Sequence, residues 1–210
     1  MIDLHILHHP AATQPDWWRL CLASAQAAEA AGWITLHVVD AQGESIGANR
    51  AAAYRLGQAP FVAGLDNDDV LVPEGIPPLL DALKNRPDVC GVYSDRHQID
   101  AEGKVLFRLP RGAWSAVNQI CGQDYPHMLA VYRRAAVMPH LDTISTFPTY
   151  NDFVLAGLAT QSGPWLHVPT LAYQRREKPY YQNHVRRIDP ETTRRARALV
   201  IPALKPYITG

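Results

Sequence analysis

Residues 59–69 read APFVAGLDNDD, an apolar run that ends in three carboxylates within four positions. The run FVAGL has the length and composition of a buried strand. Asp66, Asp68 and Asp69 follow it, and carboxylates this close repel one another unless a cation compensates their charge. Such oxygen ligands favour Mg²⁺ or Mn²⁺, which also bind phosphate oxygens. The stretch predicts a divalent-metal site at a strand end; the alternative is an acid-rich turn that caps the next helix.

Strand and helix patterns alternate in the chain before this stretch. Strands are predicted at 2–7 and 34–39, and helices at about 13–31, with a Thr cap and a first-turn Pro, and at about 47–56. This alternation is typical of a parallel sheet with crossover helices. Ligands of such sheets bind at the carboxyl ends of the strands. Because Asp40 follows the second strand, we expect it in the same crevice as the acidic cluster.

The remaining chain continues the α/β pattern. In order, it predicts a helix at 73–84, a strand at 89–94 that ends at Asp95, a hairpin turn at 100–104, a long loop at 110–127, a strand at 128–132, a helix at 152–160, strands at 165–168 and 171–174, and a last helix after Asp189. We therefore predict a Rossmann-like, mixed and mostly parallel sheet flanked by helices over residues 1–185, followed by a basic helical tail at 186–210.

Charge is distributed unevenly along the chain, although the formal net charge is zero. Residues 170–210 hold 9 Lys/Arg and 3 Asp/Glu, whereas the first 169 residues hold 11 and 17. Arg194, Arg195 and Arg197 fall close together in the tail. The asymmetry indicates an anionic partner for the tail, and a solvated basic helix is the alternative.

The compartment can be inferred from apolar runs and cysteines. No run reaches the roughly 18–20 apolar residues that a transmembrane helix needs, and the first residues lack the pattern of a secretory signal. We therefore expect no integral membrane contact. Cys21, Cys90 and Cys121 are widely separated, and such an odd, scattered set predicts reduced thiols in a cytoplasmic protein.

Three segments, in order along the chain, carry a resemblance to a known family. They are residues 49–69, which end in the acidic cluster, GVYSDRHQIDAEGKV at 91–105, and PTYNDFVLAGLATQSGPWLHVPTLAYQRRE at 148–177. Together they resemble the family 2 glycosyltransferases of the GT-A fold, over residues 1–185. The resemblance implies an inverting, hexosyltransferase-type enzyme that uses Mn²⁺ or Mg²⁺ and a nucleotide-sugar donor, for which we expect a UDP-sugar.

The same resemblance implies roles for individual residues. Asp40 matches the acid that contacts the nucleotide base, and Asp66 and Asp68 match acids near the base and the ribose. Asp69, together with Asp68, matches the metal-binding acids. Asp152 matches the general base that takes a proton from the acceptor hydroxyl. The residue before this base is usually Glu in the family and is Asn here, which keeps open an inactive GT-A-like binding module.

Five further residues are candidates for the site. The family's Arg-Asn pair is reversed here, and its Arg50 is expected on the donor side. Arg175 and Arg176 are candidates to clamp the diphosphate, because guanidinium groups suit bidentate phosphate contacts; a plain surface role is the alternative. Asp95 is expected to contact the acceptor or the donor sugar, or else to be a solvent-facing strand end. His184 is a candidate metal ligand, with a surface His as the alternative.

The acceptor is left open by these patterns. A saccharide or lipid-linked saccharide is usual for the family, and the basic tail favours a hydroxymethylated base in DNA as a second possibility. A basic helix can also contact anionic lipid headgroups. A nucleotidyltransferase is the rival enzyme class, but the chain lacks the Gly-rich phosphate loop that such enzymes usually carry near the N-terminus.

Overall fold

A mixed sheet of eight strands forms the centre of the computed structural model, which describes residues 1–9, 13–41, 45–121, 126, 129–177 and 189–208. The strands are β1 (Ile2–His8), β2 (Ile34–Asp40), β3 (Phe61–Asp66), β4 (Val70–Leu71), β5 (Gly91–Ile99), β6 (Val105–Leu109), β7 (Ala130–Arg133) and β8 (Trp165–Arg176). Their order is β2-β1-β3-β7-β5-β8-β4, and β6 pairs with β5. Strands β1, β2, β3, β5 and β8 run in one direction, which confirms the predicted α/β sheet.

Helices cover both faces of this sheet. They are α1 (Pro15–Ala30), α2 (Ile46–Tyr54), α3 (Ile76–Asn85), α4 (Ala116–Ile120), α5 (Arg134–Val137), α6 (Leu141–Ser145), α7 (Asn151–Ala159) and α8 (Pro190–Leu204). One core cluster joins α1 and α3 to one face, and a second joins α2, α7 and α8 to the other, here named the α7 face. Because side chains alternate along a strand, Val62 points to the α7 face while Phe61 and Ala63 point away from it. None of the described helices has the length and apolar character needed to cross a membrane.

A buried polar network holds the amino-terminal ends of β1 and β3. Asp3 accepts hydrogen bonds from the Ala59 N–H (2.8 Å) and the Arg134 guanidinium (2.5 Å), and His37 Nε2 lies 3.0 Å from its carboxylate. Burial acts to raise the pKa of Asp3, but these contacts, led by His37, lower it overall. Gly57, with φ of 77°, gives the carboxylate room, since a Cβ there would lie 2.2 Å from Asp3 Oδ2. This network stabilises the end of the sheet that lies opposite the acidic cluster.

The predicted starts of the first and last helices have different outcomes. The first helix begins at Pro15 with Gln14 as its N-cap, and Thr13 donates to the His9 carbonyl (2.9 Å), so the predicted Thr cap is wrong. At α8 the Asp189 side chain accepts a hydrogen bond from the Thr192 N–H (2.9 Å), which confirms the predicted start. The Pro in the first turn is present in both helices.

The boundaries of β5 and β8 also differ from the prediction. The strand predicted at 89–94 continues to Ile99, so Asp95 lies inside β5 and not at a strand end. The short strands predicted at 165–168 and 171–174 form one strand, β8. The register between β5 and β8 shifts from Ser94↔Val168 to Asp95↔Leu171 and again to Arg96↔Tyr173, so β8 accommodates two extra residues and then one more. The predicted loop at 110–127 contains the short helix α4.

The C-terminal helix packs against the core. Ala196, Val200 and Leu204 of α8 are fully buried in the cluster that also contains α7. A Cβ on Gly157 of α7 would lie 2.5 Å from Val200, so the two helices approach closely at this glycine. The basic residues of α8 therefore lie on a helix whose other side belongs to the fold.

Candidate functional site

The acidic cluster lies in the short connection between β3 and β4. Asp66 is the last residue of β3, and its side chain is 44% exposed, whereas Asp68 and Asp69 are buried. The Asp69 N–H donates to the Asp66 carbonyl (3.1 Å), which closes a tight turn. One carboxylate oxygen from each of the three residues lies within 4.8 Å of the other two. Since hard divalent cations take several oxygen ligands, this donor set fits Mg²⁺ or Mn²⁺.

Burial dominates the electrostatics of the cluster. It raises the pKa of Asp69 to about 8, and the neighbouring Asp66 carboxylate acts in the same direction. A hydrogen bond from the Arg176 N–H opposes this rise but does not cancel it. A buried carboxylate that is costly to ionise in the protein alone would be stabilised by a bound cation, which agrees with the oxygen donor set.

Arg176 holds the acidic turn in place from β8. Its backbone N–H donates to Asp69 Oδ1 (2.8 Å), and its Nε donates to the Asp68 carbonyl (2.9 Å). Its Nη1 donates to the carbonyls of Asp100 and Ala101 in the β5–β6 turn. Arg176 was predicted to clamp a diphosphate, but its buried guanidinium is engaged with main-chain carbonyls. The structure places it as a support for the acids.

Arg175, the other predicted diphosphate contact, is placed differently. It is exposed on the neighbouring position of β8, next to the residue that supports the acidic turn. Its positive charge acts to lower the pKa of Asp69, so it lies within electrostatic reach of the cluster. Of the two predicted arginines, Arg175 is therefore the one whose side chain is open to a ligand.

Asp40 lies at the same edge of the sheet as the acidic cluster. In the paired strands His8 of β1 is opposite Asp40, and Leu7 is opposite Asp66. The Nδ1 of His8 lies 3.3 Å from Asp40 Oδ1, and its ring stacks on Trp18 with centroids 4.2 Å apart. Stacked aromatic rings and an exposed acceptor carboxylate thus flank the ends of β1 and β2, and the predicted contact of Asp40 with a nucleotide base stays a prediction.

Arg50 joins the acidic cluster to the start of α7. One guanidinium nitrogen lies 3.4 Å from Asp66 Oδ1, and the other donates to Asn151 Oδ1 (2.8 Å). Asn151 is buried, and its amide oxygen accepts this hydrogen bond from the Arg50 guanidinium. A Glu at this position would place a full negative charge against the same guanidinium. In the sequence, Asn151 is only a departure from the family pattern. In the structure, it is part of the contact that joins Asp66, predicted on the donor side, to the neighbour of the predicted base Asp152.

Asp152 is the second residue of α7 and is partly exposed. Its Oδ1 accepts a hydrogen bond from the Phe153 N–H (2.8 Å) in the first turn of the helix. The residue that precedes the helix, Tyr150, has φ of 65°, a left-handed conformation that is costly for a bulky side chain. Tyr150 stacks on Phe153 with ring centroids 4.4 Å apart, which fixes this turn and the direction of the helix start.

Asp95 lies within β5, which β7 separates from β3 and the acidic cluster in the strand order. Its Oδ1 accepts a hydrogen bond from the Arg111 N–H (2.7 Å) and lies 2.8 Å from His167 Nε2. The sequence analysis missed His167. The spacing of Trp165 and His167 could have indicated it. Residues two apart on a strand point to the same face, and Trp165 points into the core of the α7 face, so His167 lies on that face too.

Two other predictions concern basic and histidine residues. His184 lies outside the described residues, so its predicted metal role stays a prediction.

On α8, Arg194 pairs with Glu191, and Arg195 lies over the Phe147 ring at 4.7 Å from its centroid. Arg197 is exposed and lies close enough to Tyr150 that its charge opposes, without cancelling, the rise that burial causes in the pKa of Tyr150. Part of the basic face therefore borders the start of α7.

The topology and the acid-bearing sheet edge define a GT-A-like glycosyltransferase fold. Solved structures of S. aureus TarS share it. Residues 1–349 of TarS in complex with UDP-GlcNAc align with a TM-score of 0.70 at 12% identity, covering 100% of this chain and 68% of that one. The UDP complex gives 0.67 at 12% identity, with 100% and 67% coverage, and a further TarS structure gives 0.58 at 13%, with 85% and 37%. At these identities the likeness establishes the fold alone. No protein-family model and no curated protein matches the sequence.

Proposed function

We propose that this protein is a metal-dependent, inverting glycosyltransferase that moves a sugar from a nucleotide-diphosphate sugar, a UDP-sugar in the first instance, to an acceptor hydroxyl. The observation that carries the proposal is the Arg50 contact. It connects Asp66, at the end of the strand that leads into the acidic cluster, to Asn151, the neighbour of the proposed base Asp152. A donor group and an acceptor group are thereby held around one crevice at the carboxyl end of the sheet.

The donor half is built from the ends of β1, β2 and β3. Asp40, with the stacked His8 and Trp18, would receive the nucleobase. Asp68 and Asp69, with Asp66, would hold Mn²⁺ or Mg²⁺ through their oxygens. A bound cation would offset the charge of the departing nucleoside diphosphate. TarS has been solved with UDP-GlcNAc and with UDP, and this supports a uridine donor for a chain of the same fold.

Asp152 is the proposed general base. Its carboxylate would take the proton of the acceptor hydroxyl as the acceptor oxygen forms a bond to the anomeric carbon of the donor. The bond from that carbon to the diphosphate oxygen breaks in the same displacement, and the nucleoside diphosphate leaves with its electron pair. A single displacement inverts the anomeric centre. Arg175, exposed beside the acidic turn, is the proposed contact for the diphosphate.

A pair of variants tests the two halves separately. We expect Asp69→Ala to abolish Mn²⁺-dependent UDP binding in calorimetry, because the cation loses a buried ligand. Asp152→Asn should bind UDP within about 3-fold of the wild type but lose sugar transfer by at least ~100-fold, measured as UDP release with saccharide acceptors. Asp81→Asn, on the exposed side of α3, is the matched control and should change neither quantity.

Three outcomes would contradict the proposal. Unchanged UDP binding by Asp69→Ala would remove the metal site, and near-normal turnover by Asp152→Asn would remove the base. If the wild type bound UDP with Mn²⁺ but released none from any donor, the chain would instead be a binding module without activity.

A further inference from the structure

The pair formed by Asp95 and His167 lies outside the donor half of the site. Carboxylate oxygens only accept hydrogen bonds, so the 2.8 Å contact requires His167 Nε2 to donate to Asp95 Oδ1. The same oxygen accepts from the Arg111 N–H (2.7 Å). The other carboxylate oxygen, Oδ2, makes no hydrogen bond to the part of the chain that the structure describes. The side chains are 25% and 15% exposed, so a ligand can reach both.

The sheet register places this pair beside the donor site. Ala63 of β3 and Val92 of β5 both pair with Val131 of β7. Asp66 and Asp95 each come three residues later, so they lie at the same height and, by the alternation of side chains, both on the α7 face. Where β7 pairs with both strands, β3 and β5 are two strand spacings apart, about 10 Å, and Asp66 and Asp95 follow directly beyond that paired region. This separation is comparable to the length of two adjacent sugar rings, a donor sugar at the acidic cluster and an acceptor sugar that extends from it.

The chemistry of the pair selects hydroxyl groups. A carboxylate whose inner oxygen is already bonded offers its outer oxygen as an acceptor for a hydroxyl donor. An imidazole tied to a carboxylate has a fixed orientation and offers its Nδ1 to an adjacent hydroxyl. The negative charge of Asp95 disfavours a phosphate at the same place. Vicinal hydroxyls on a neutral ring or chain match this arrangement.

We propose that Asp95 and His167 form an acceptor subsite that binds vicinal hydroxyls of a saccharide or a sugar alcohol. The inference rests on the proposed glycosyltransferase function, and it favours a polyhydroxylated acceptor over a base in DNA. Asp95 and His167 are binding residues in this view, and the proton transfer stays with Asp152.

Saturation-transfer NMR with defined probes tests the subsite. The probes are methyl β-D-glucopyranoside, methyl β-D-galactopyranoside, N-acetyl-D-glucosamine and sorbitol, each added to the full chain with UDP and Mg²⁺. We expect at least one probe to show saturation transfer with the wild type and, in spectra that observe the protein, to shift the ring signals of His167. Asp95→Asn should weaken that binding by at least ~10-fold, because the outer oxygen is replaced by a donor NH₂. UDP affinity should stay within about 3-fold.

The choice of Asn separates a binding role from a structural one. Its amide oxygen can still accept from Arg111 and His167, so thermal unfolding should be close to that of the wild type. His167→Asn provides a second, independent loss of probe binding, and Asp81→Asn again serves as the control. Binding that survives Asp95→Asn, or no binding by any probe while UDP still binds, would overturn the inference. If UDP fails to bind but probe binding still depends on Asp95, the donor proposal fails and the subsite stands.

Discussion

Arg50 is the residue at which the two halves of the candidate site meet. The family resemblance predicted Arg50 on the donor side, and the structure places its guanidinium 3.4 Å from Asp66. The second contact, to Asn151 at 2.8 Å, joins residues 101 positions apart in the chain. Helix and strand periodicity predicts only local structure, so it cannot predict a contact between residues so far apart in the chain. For this reason the sequence identified Asn151 only as an unusual neighbour of Asp152.

Replacing Arg50 by Lys tests this connection. A lysine ammonium is a point charge on a flexible stem and lacks the planar fork that reaches Asp66 and Asn151 together. We expect sugar transfer, measured as UDP release, to fall by at least ~10-fold, because the start of α7 is no longer held against the donor side. UDP binding should change by less than about 3-fold. Arg55→Lys, in the turn after α2, pairs with the exposed Asp142 and should behave as the wild type. Equal losses in both variants would contradict the positioning role.

At the scale of elements, the sequence predicted most helices and strands to within a few residues, because their apolar periods are clear. It failed at β8, where Pro169 and Thr170 interrupt the strand pattern. The structure accommodates them in the register shift opposite Ser94 and Asp95. A bulge depends on the neighbouring strand, so the sequence of β8 alone cannot show that the strand continues.

Two glycines allow helices to pack closely on the α7 face, and they differ in what they meet. A Cβ on Gly47 of α2 would lie 2.1 Å from the backbone oxygen of Phe147, whereas one on Gly157 of α7 would meet the Val200 side chain at 2.5 Å. Backbone cannot move aside as a side chain can. Movement or truncation of the Val200 side chain should therefore reduce the cost of a methyl group at Gly157, whereas no side-chain change can reduce the cost at Gly47.

We predict the following free energies of unfolding from urea titration. Gly47→Ala should destabilise the protein by about 3 kcal/mol or more, despite the better helix propensity of Ala. Gly157→Ala should cost about 1–3 kcal/mol, and combining it with Val200→Ala should cost less than the sum of the single changes, because the removed methyls make room. Strict additivity in that double-mutant cycle would show that the two helices do not meet as described.

At the scale of the whole molecule, the strand order could not be predicted. The sequence indicated a parallel α/β sheet, but the short antiparallel β7 inserts between β3 and β5. Strand order depends on long-range pairing that sequence periodicity does not encode. The sequence could therefore predict Asp66 and Asp95 as site residues without predicting how far apart they lie. His167 was missed for the same reason, because its partner is on another strand.

The C-terminal helix was predicted as a basic tail, and its contribution to the whole fold can be measured. Deleting residues 189–210 should remove Ala196, Val200 and Leu204 from the core and expose the apolar side of α7. Because each large apolar side chain contributes about 1.5–3 kcal/mol, we expect the loss of a cooperative thermal transition, or insolubility. Replacing Arg194, Arg195 and Arg197 by Gln should shift Tm by only about 4 °C or less. A truncated chain that unfolds like the full one would show that α8 is dispensable.

The position of β7 divides the molecule in a way that matters for engineering. Most of what is proposed for the nucleotide lies at the ends of β1, β2 and β3, with Arg175 of β8 as the exception, while Asp95 and His167 lie on β5 and β8, beyond the inserted strand. In the proposed function, the donor and the acceptor are thus recognised largely by separate stretches of chain, and Arg50 and Arg176 each make contacts that join the two stretches. A chimaera that exchanges the second stretch and keeps these two arginines would inherit its donor from one parent and its acceptor from the other.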